Sequence, residues 1–157
     1  MTRRRLALRV EEPPDAADVE TIKKALIAFN EEKTGRPLNP RRFLVSVRDG
    51  DGALVGGLTG VTYWDWLYVG ELWLDERLRG RGWGRRLLDR AERIAVARGC
   101  RAAWLDTFSF QAPGFYRRLG WREFGSLDDQ PSGESRHFFW KPLARAPKKR
   151  RRRRKGS

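Results

Sequence analysis

The chain has 157 residues with one cysteine and one histidine, long enough to bury a core and too poor in soft ligands for an internal disulfide or a Cys/His zinc site. Its formal charge of +14 is uneven, because Lys148–Lys155 is an unbroken run of eight basic residues that leaves +6 on the remainder. No stretch approaches the roughly 18 apolar residues of a membrane span, and the basic start Met1-Thr2-Arg3-Arg4-Arg5 leads into no apolar signal-peptide core. These features predict a soluble, cytoplasmic protein with one domain over residues 1–144 and a disordered polybasic tail over residues 145–157. The tail reads either as a solvated segment or as a nonspecific tether to nucleic acid, ribosome or another anionic surface.

Along the chain, Leu6–Val10 alternates and predicts a first strand. Pro13-Pro14 breaks it, and Asp15 is placed to cap a helix over Ala16–Asn30 with Val19, Ile22, Ala25, Leu26 and Phe29 on one face. After a polar loop, Phe43–Arg48 and Leu54–Tyr63 read as a hairpin around Asp49-Gly50-Asp51-Gly52. A turn at Asp65 leads into a strand over Leu67–Leu74. The clearest helix covers Trp83–Arg98, with Leu87, Leu88, Ala91, Ile94 and Ala95 on its apolar face and Gly99 beyond its end. Ala102–Thr107 reads as a buried strand, parallel to its predecessor because a helix connects the two. Pro113 opens a short helix that ends at Gly120, and strands over Trp121–Ser126 and His137–Leu143 close the series. The expected class is α/β, with a mixed, mostly antiparallel sheet of six to seven strands flanked by helices.

The segment with the strongest chemical content is Arg79-Gly80-Arg81-Gly82-Trp83-Gly84-Arg85, between a strand and the amphipathic helix. Its glycines let the backbone approach a ligand, and the helix behind them offers unpaired amides and the positive end of its dipole. That combination suits a phosphate or diphosphate. The loop lacks the Gly-Lys-Ser/Thr of a P-loop, and its G-x-G-x-G spacing is not the Rossmann G-x-G-x-x-G.

Arg79-x-x-Gly82-x-Gly84 resembles the Q/R-x-x-G-x-G/A signature of the GNAT superfamily, the acyl-CoA-dependent N-acyltransferases; Arg77-x-x-Gly80-x-Gly82 is a second possible register. Phe115-Tyr116-Arg117-Arg118-Leu119-Gly120-Trp121 is similar to a second block of that family, and the likeness in element order runs from about Leu6 to Leu143. The resemblance implies a GNAT-like sheet splayed at the cofactor site. It also implies that acetyl-CoA is the co-substrate, with its diphosphate on the amides of Arg81, Gly82, Trp83, Gly84 and Arg85. Side chains of Arg79, Arg81, Arg85 or Arg86 would add charge-assisted contacts. The pantetheine arm would pair with the strand edge at Leu72, Trp73 and Leu74, where the Leu74 amide is a candidate oxyanion donor. Tyr116 is the expected general acid toward the departing thiolate, and Glu71 the candidate base, ahead of Asp65, Asp106 and Asp129. Where the family often carries an asparagine this chain has Ser109, with Gln111 two residues on; either side chain is a candidate cofactor contact.

The activity implied is N-acetyl transfer from acetyl-CoA to a primary amine, a small molecule first, by direct attack in a ternary complex. The competing reading is a nucleic-acid- or ribosome-associated module, either acetylating a protein or RNA or binding acyl-CoA without catalysis. Tyr63, Trp64, Trp66 and Trp73 read as aromatic packing in the core or at a homodimer contact, or as a platform for the acceptor. His137 and Cys100 read as structural.

Overall fold

The computed structural model describes residues 6–144. The Lys148–Lys155 run, and with it the expected disordered tail, lies outside the described residues. Residues up to Leu38 form one compact unit and those from Asn39 onward a second.

In the first unit, helix α1 spans Ala16–Thr34. Asp15 caps it as expected, its carboxylate accepting from the amides of Ala17 (2.9 Å) and Asp18 (3.0 Å). The helix runs a turn beyond Asn30, because the Thr34 hydroxyl bonds back to the Asn30 carbonyl (2.8 Å) before Gly35, at φ 64°, turns the chain away. None of its residues is buried, so the apolar face expected along it is a stripe that the helix leaves half exposed or more. Leu6–Val10 forms no strand and exposes its apolar side chains, which corrects the expectation of a first strand. Alternation alone does not make a strand, whose backbone groups need a paired neighbour.

In the second unit, six strands form one sheet: β1 (Arg41–Arg48), β2 (Leu54–Tyr63), β3 (Trp66–Leu74), β4 (Ala102–Phe108), β5 (Arg122–Asp128) and β6 (Ser135–Pro142), in the spatial order β1-β2-β3-β4-β6-β5. All pairings are antiparallel except β3 with β4, which is parallel and joined by helix α2 (Trp83–Ala97). The β1–β2 turn is held by the Asp49 carboxylate, which accepts from the amides of Asp51 (3.0 Å) and Ala53 (2.9 Å). The β2–β3 turn places Trp64 and Asp65 at φ 44° and 63°, as a two-residue hairpin requires.

Helix α2 lays Leu87, Leu88, Ala91 and Ala95 against the buried side chains Leu58, Leu67, Val69, Leu105 and Phe139 of the sheet. The short helix α3 (Pro113–Arg118) adds Tyr116, which packs edge-on to Phe115 and Trp121 and against Phe139. Two irregularities shape the site. β3 and β4 pair only over Trp66–Ala102, Leu67–Ala103 and Tyr68–Trp104, then part. The β2–β3 register also slips between Leu58–Leu72 and Gly60–Val69, so β3 carries one residue more than β2 around Gly70-Glu71. Leu67 and Val69 face the core before this bulge, and Leu72 and Leu74 face it afterwards. The bulge thereby puts Glu71 and Trp73 on the face of the sheet that carries Tyr68.

Candidate functional site

The parting of β3 from β4 opens a wedge with one strand edge on each side. On the β3 side, Asp75 donates its amide to the Val55 carbonyl (2.9 Å) and Glu71 donates its amide to the Thr59 hydroxyl (3.0 Å). Residues 71 and 75 therefore turn their peptide groups toward β2. By alternation Trp73 does the same, while Leu72 and Leu74 present theirs to the wedge. The Leu74 carbonyl accepts from Arg79 Nε at 3.2 Å. Of the three strand residues expected to meet the pantetheine arm, Leu72 and Leu74 offer backbone groups. Trp73, 51% exposed, offers only its side chain, on the Glu71 face.

On the β4 side, the Ser109 amide turns to β6 and donates to the Ser135 carbonyl (2.8 Å). The Ser109 hydroxyl donates to Glu134 and accepts from the Ser135 amide (3.0 Å). Phe108 faces the other way, and Gln111 closes both its groups: Gln111 Oε1 accepts from the Phe108 amide (2.9 Å), and the Gln111 amide donates to the Phe108 carbonyl (2.9 Å). The Gln111 oxygen also accepts from the Thr107 hydroxyl (3.1 Å), which leaves only its amide nitrogen for a ligand. Ser109 and Gln111 thus hold the mouth of the wedge from the β4 end.

The glycine loop follows β3 after a 3-10 turn over Glu76–Leu78. Gly80 and Gly82 sit at φ 69° and 80°, a left-handed backbone that a side chain resists, and α2 begins at Trp83. The register Arg79-x-x-Gly82-x-Gly84 therefore sets Gly82 at the helix cap. Gly84 is already helical and buried, with Phe115 against it. Among the described residues no side chain caps the leading amides of α2, and no acidic residue stands in its first turn. Arg79, Arg81, Arg85 and Arg86 are exposed around those amides. Arg85 lies 4.0 Å from Asp89, and Arg86 lies 4.0 Å over the Trp83 ring. Free amides, the helix dipole and four guanidinium groups fit a diphosphate at this point.

On the face opposite α2, Glu71 stands beside Tyr68 in an open hollow of about 430 Å³ that Arg42, Phe43, Thr59 and Val61 also line. Thr59 donates its hydroxyl to Glu71 Oε2. Tyr68 packs at a tilt against Trp104 (ring centroids 4.4 Å apart), and its hydroxyl lies 3.4 Å from Asp106 Oδ1. Asp106 is half-buried and paired with Arg136 Nε at 2.7 Å. Burial, then the Asp106 charge, pushes the Tyr68 phenol above its ordinary value. Tyr116 is 7% exposed, and its phenol has no hydrogen-bond partner among the described residues; burial and then the Asp106 charge push it up to about 12.

The other carboxylates considered as bases stand apart or are committed. Asp65 lies in the turn at the start of β3, Asp129 accepts from the Gly133 amide (2.8 Å) in the β5–β6 loop, and Asp106 holds Arg136. His137 is a strand residue whose Nδ1 lies 2.6 Å from Glu123 and whose Nε2 lies 2.8 Å from Ser135. The aromatic residues expected to cluster divide instead: Tyr63 meets Trp64, Trp66 meets Trp140, and Trp73 stands by the wedge. Thr59, Tyr68 and Arg136 were not singled out from the sequence. The signal that could have found Thr59 is Gly70, a glycine inside a strand, which marks a bulge or a close approach.

Comparisons with known proteins identify the family. The family model described as the acetyltransferase (GNAT) family matches residues 8–121. The chain is 46% identical over 93 residues to the blasticidin-S acetyltransferase of Streptomyces morookaense, covering 59% of this chain and 68% of that protein. It is 38% identical over 124 residues to the acetyltransferase Atu2258 of Agrobacterium fabrum, covering 77% of this chain and 90% of that protein. The crystal structure of an acetyltransferase from Bacillus cereus superposes with a TM-score of 0.79 at 38% identity, over 87% of this chain and 98% of that one. Among the described residues no helix is long and apolar enough to cross a membrane. The chain belongs to the GNAT acetyltransferase family and is an acyltransferase that takes its acetyl group from acetyl-CoA.

Proposed function

We propose that this enzyme acetylates a primary amine of a small molecule by direct attack on the thioester. The observation that carries the reading is the wedge itself: Leu72 and Leu74 turn into it peptide groups that no neighbouring strand pairs, the α2 amides stand at the end of the same strand segment, and Glu71 borders it on the opposite face. In this arrangement the amides of residues 81–85 and the guanidinium groups of Arg79, Arg81, Arg85 and Arg86 hold the diphosphate. The β3 edge aligns the pantetheine arm, and an amide of Leu72 or Leu74 faces the oxyanion that develops on the acyl carbon. The hollow beside Glu71 has the size of a small-molecule site. The blasticidin-S acetyltransferase named among the relatives favours the same acceptor class.

The proton account gives Glu71 and Tyr116 separate tasks. An ammonium must lose one proton before attack, and Glu71 accepts it. The nitrogen then bonds to the acyl carbon, the C–S bond breaks, and the nitrogen's second proton is lost as the sulfur gains one. Tyr116, raised to about 12, stays protonated at neutral pH and is a weaker acid than a thiol of about 8.5. Its task is therefore to donate a hydrogen bond to the departing sulfur, with net proton delivery completed through solvent. Calorimetric titration with acetyl-CoA and dephospho-CoA, followed by thiol-release assays over a panel of small amines, tests the reading. Tight acetyl-CoA binding with amine-dependent thiol release supports it. Binding without release from any amine overturns the acceptor assignment.

A further inference from the structure

We propose that Thr59 is a positioning residue for Glu71: its hydroxyl locks the β3 bulge and holds the carboxylate toward the acceptor hollow. The proposal rests on the reading of Glu71 as the base. Three observations meet at one oxygen. Thr59 Oγ1 accepts from the Glu71 amide at 3.0 Å, and it donates its proton to Glu71 Oε2. Gly70 has no room for a side chain, because an added Cβ would fall 2.7 Å from that same Oγ1.

The physical logic starts from the register. Between Leu58–Leu72 and Gly60–Val69 the extra β3 residue takes the Glu71 amide out of step with the carbonyls of β2. A backbone amide left without an acceptor in a sheet is costly, and the threonine hydroxyl supplies the acceptor from a side chain. A hydroxyl has one proton and two lone pairs, so the oxygen that takes the amide still donates to the carboxylate. The same hydroxyl therefore fixes the backbone that carries Glu71 and one of its carboxylate oxygens. An exposed glutamate otherwise samples many rotamers. Here the ordering is in place before an amine arrives, and the second carboxylate oxygen is left for the ammonium. Gly70 keeps the hydroxyl's place clear.

The test compares Thr59→Val, Thr59→Ser, Glu71→Gln and Thr59→Val/Glu71→Gln. Thiol release from acetyl-CoA is followed with phenethylamine, an ammonium at neutral pH, and with hydroxylamine, which is already neutral there. With phenethylamine, Thr59→Val is expected to lower kcat about tenfold with acetyl-CoA affinity unchanged by calorimetry. Thr59→Ser, which restores the hydroxyl, is expected to keep most of the activity, and the hydroxylamine rate is expected to change less than twofold. The double variant is expected to be no slower than Glu71→Gln alone. The proposal is overturned if Thr59→Val keeps full activity, or if it costs the same factor with Glu71 already replaced. Full activity of Glu71→Gln would remove the base assignment itself, which separates that failure from the failure of Thr59. If neither amine reacts, hydrogen exchange decides: the Glu71 amide must lose protection in Thr59→Val and regain it in Thr59→Ser, and unchanged protection overturns the proposal.

Discussion

Trp66–Tyr68 and Val69–Leu74 are consecutive stretches of β3, and both pair with β2 on one edge. The first also pairs with β4, whereas the second has no strand on that side. Both send side chains to the core under α2, Leu67 and Val69 from one side of the bulge and Leu72 and Leu74 from the other. Their main difference is thus one of backbone satisfaction. The near half closes its hydrogen bonds within the fold. The far half keeps a row of peptide groups for a ligand that can act as the missing strand, much as an extended peptide adds to a sheet edge. Stability and function are then separable along a single strand, and substitutions can test that separation.

The largest effect is expected in the near half. Leu67 is 0% exposed, and Leu67→Ala should cost about 2–5 kcal/mol by urea denaturation. While the variant remains folded, its affinity for acetyl-CoA should stay within threefold of the parent. A variant that binds much more weakly while still folded would break the separation.

Tyr116→Phe is the counterpart on the wedge side. Losing its hydrogen bond to the departing sulfur should lower kcat about 100-fold with acetyl-CoA affinity unchanged. Because the phenol is raised to about 12, it stays protonated through the ordinary assay range and should produce no basic limb there. The sign of the stability effect follows from the same value. The fold favours the neutral phenol, so its contribution is whole below the unfolded value near 10 and is lost as pH rises toward 12. Up to about 3 kcal/mol of alkaline destabilisation should vanish in Tyr116→Phe, measured as an unfolding free energy against pH.

Much of this division was legible in the residues and some was not. The glycine loop announces itself because φ 69° and 80° are costly for any other residue, and helix α2 because its apolar positions repeat with the period of one face. The parting of β3 from β4 followed from the family resemblance. The bulge was hidden: Leu67–Leu74 reads as a continuous strand, and the reversal of faces at Glu71 depends on a hydroxyl twelve residues earlier. The Asp106 partners lie 30 and 38 residues away in sequence, beyond the reach of any local pattern. Leu6–Val10 failed in the opposite direction, since its alternation is clear but no strand forms.

Two glycines sharpen the comparison at smaller cost. Gly82 at the α2 cap and Gly133 in the β5–β6 loop have nearly the same φ, 80° and 82°, and both have open space where a Cβ would go. Alanine at either should therefore introduce the same strain, about 1–2 kcal/mol. Only Gly82→Ala should pass it to the ligand, because relaxing that loop turns away the amides that meet the diphosphate. The expected result is a roughly 5- to 30-fold higher Kd for acetyl-CoA, with Gly133→Ala unchanged in the same calorimetric titration. Equal losses would mean that general loosening, and not aimed amides, sets the affinity.

The smallest expected effect lies across the sheet, where β5 and β6 pair along their length. Glu123 is held below the ordinary carboxylate range first by its bond to His137 and then by Arg117, 2.5 Å away. A depressed carboxyl contributes stability that is present above its unfolded value and lost as pH falls through the folded one. Because the group is partly solvated, Glu123→Gln should cost well under 1 kcal/mol at neutral pH, and the variant should converge with the parent in acid. Its kcat should not change at any pH, since Glu123 spends its carboxylate on His137 and Arg117, on the β5–β6 side of the sheet. A change in kcat here would mean that the fully bonded side of the sheet transmits to the wedge, and the line drawn through β3 between holding the fold and binding the ligand would have to be abandoned.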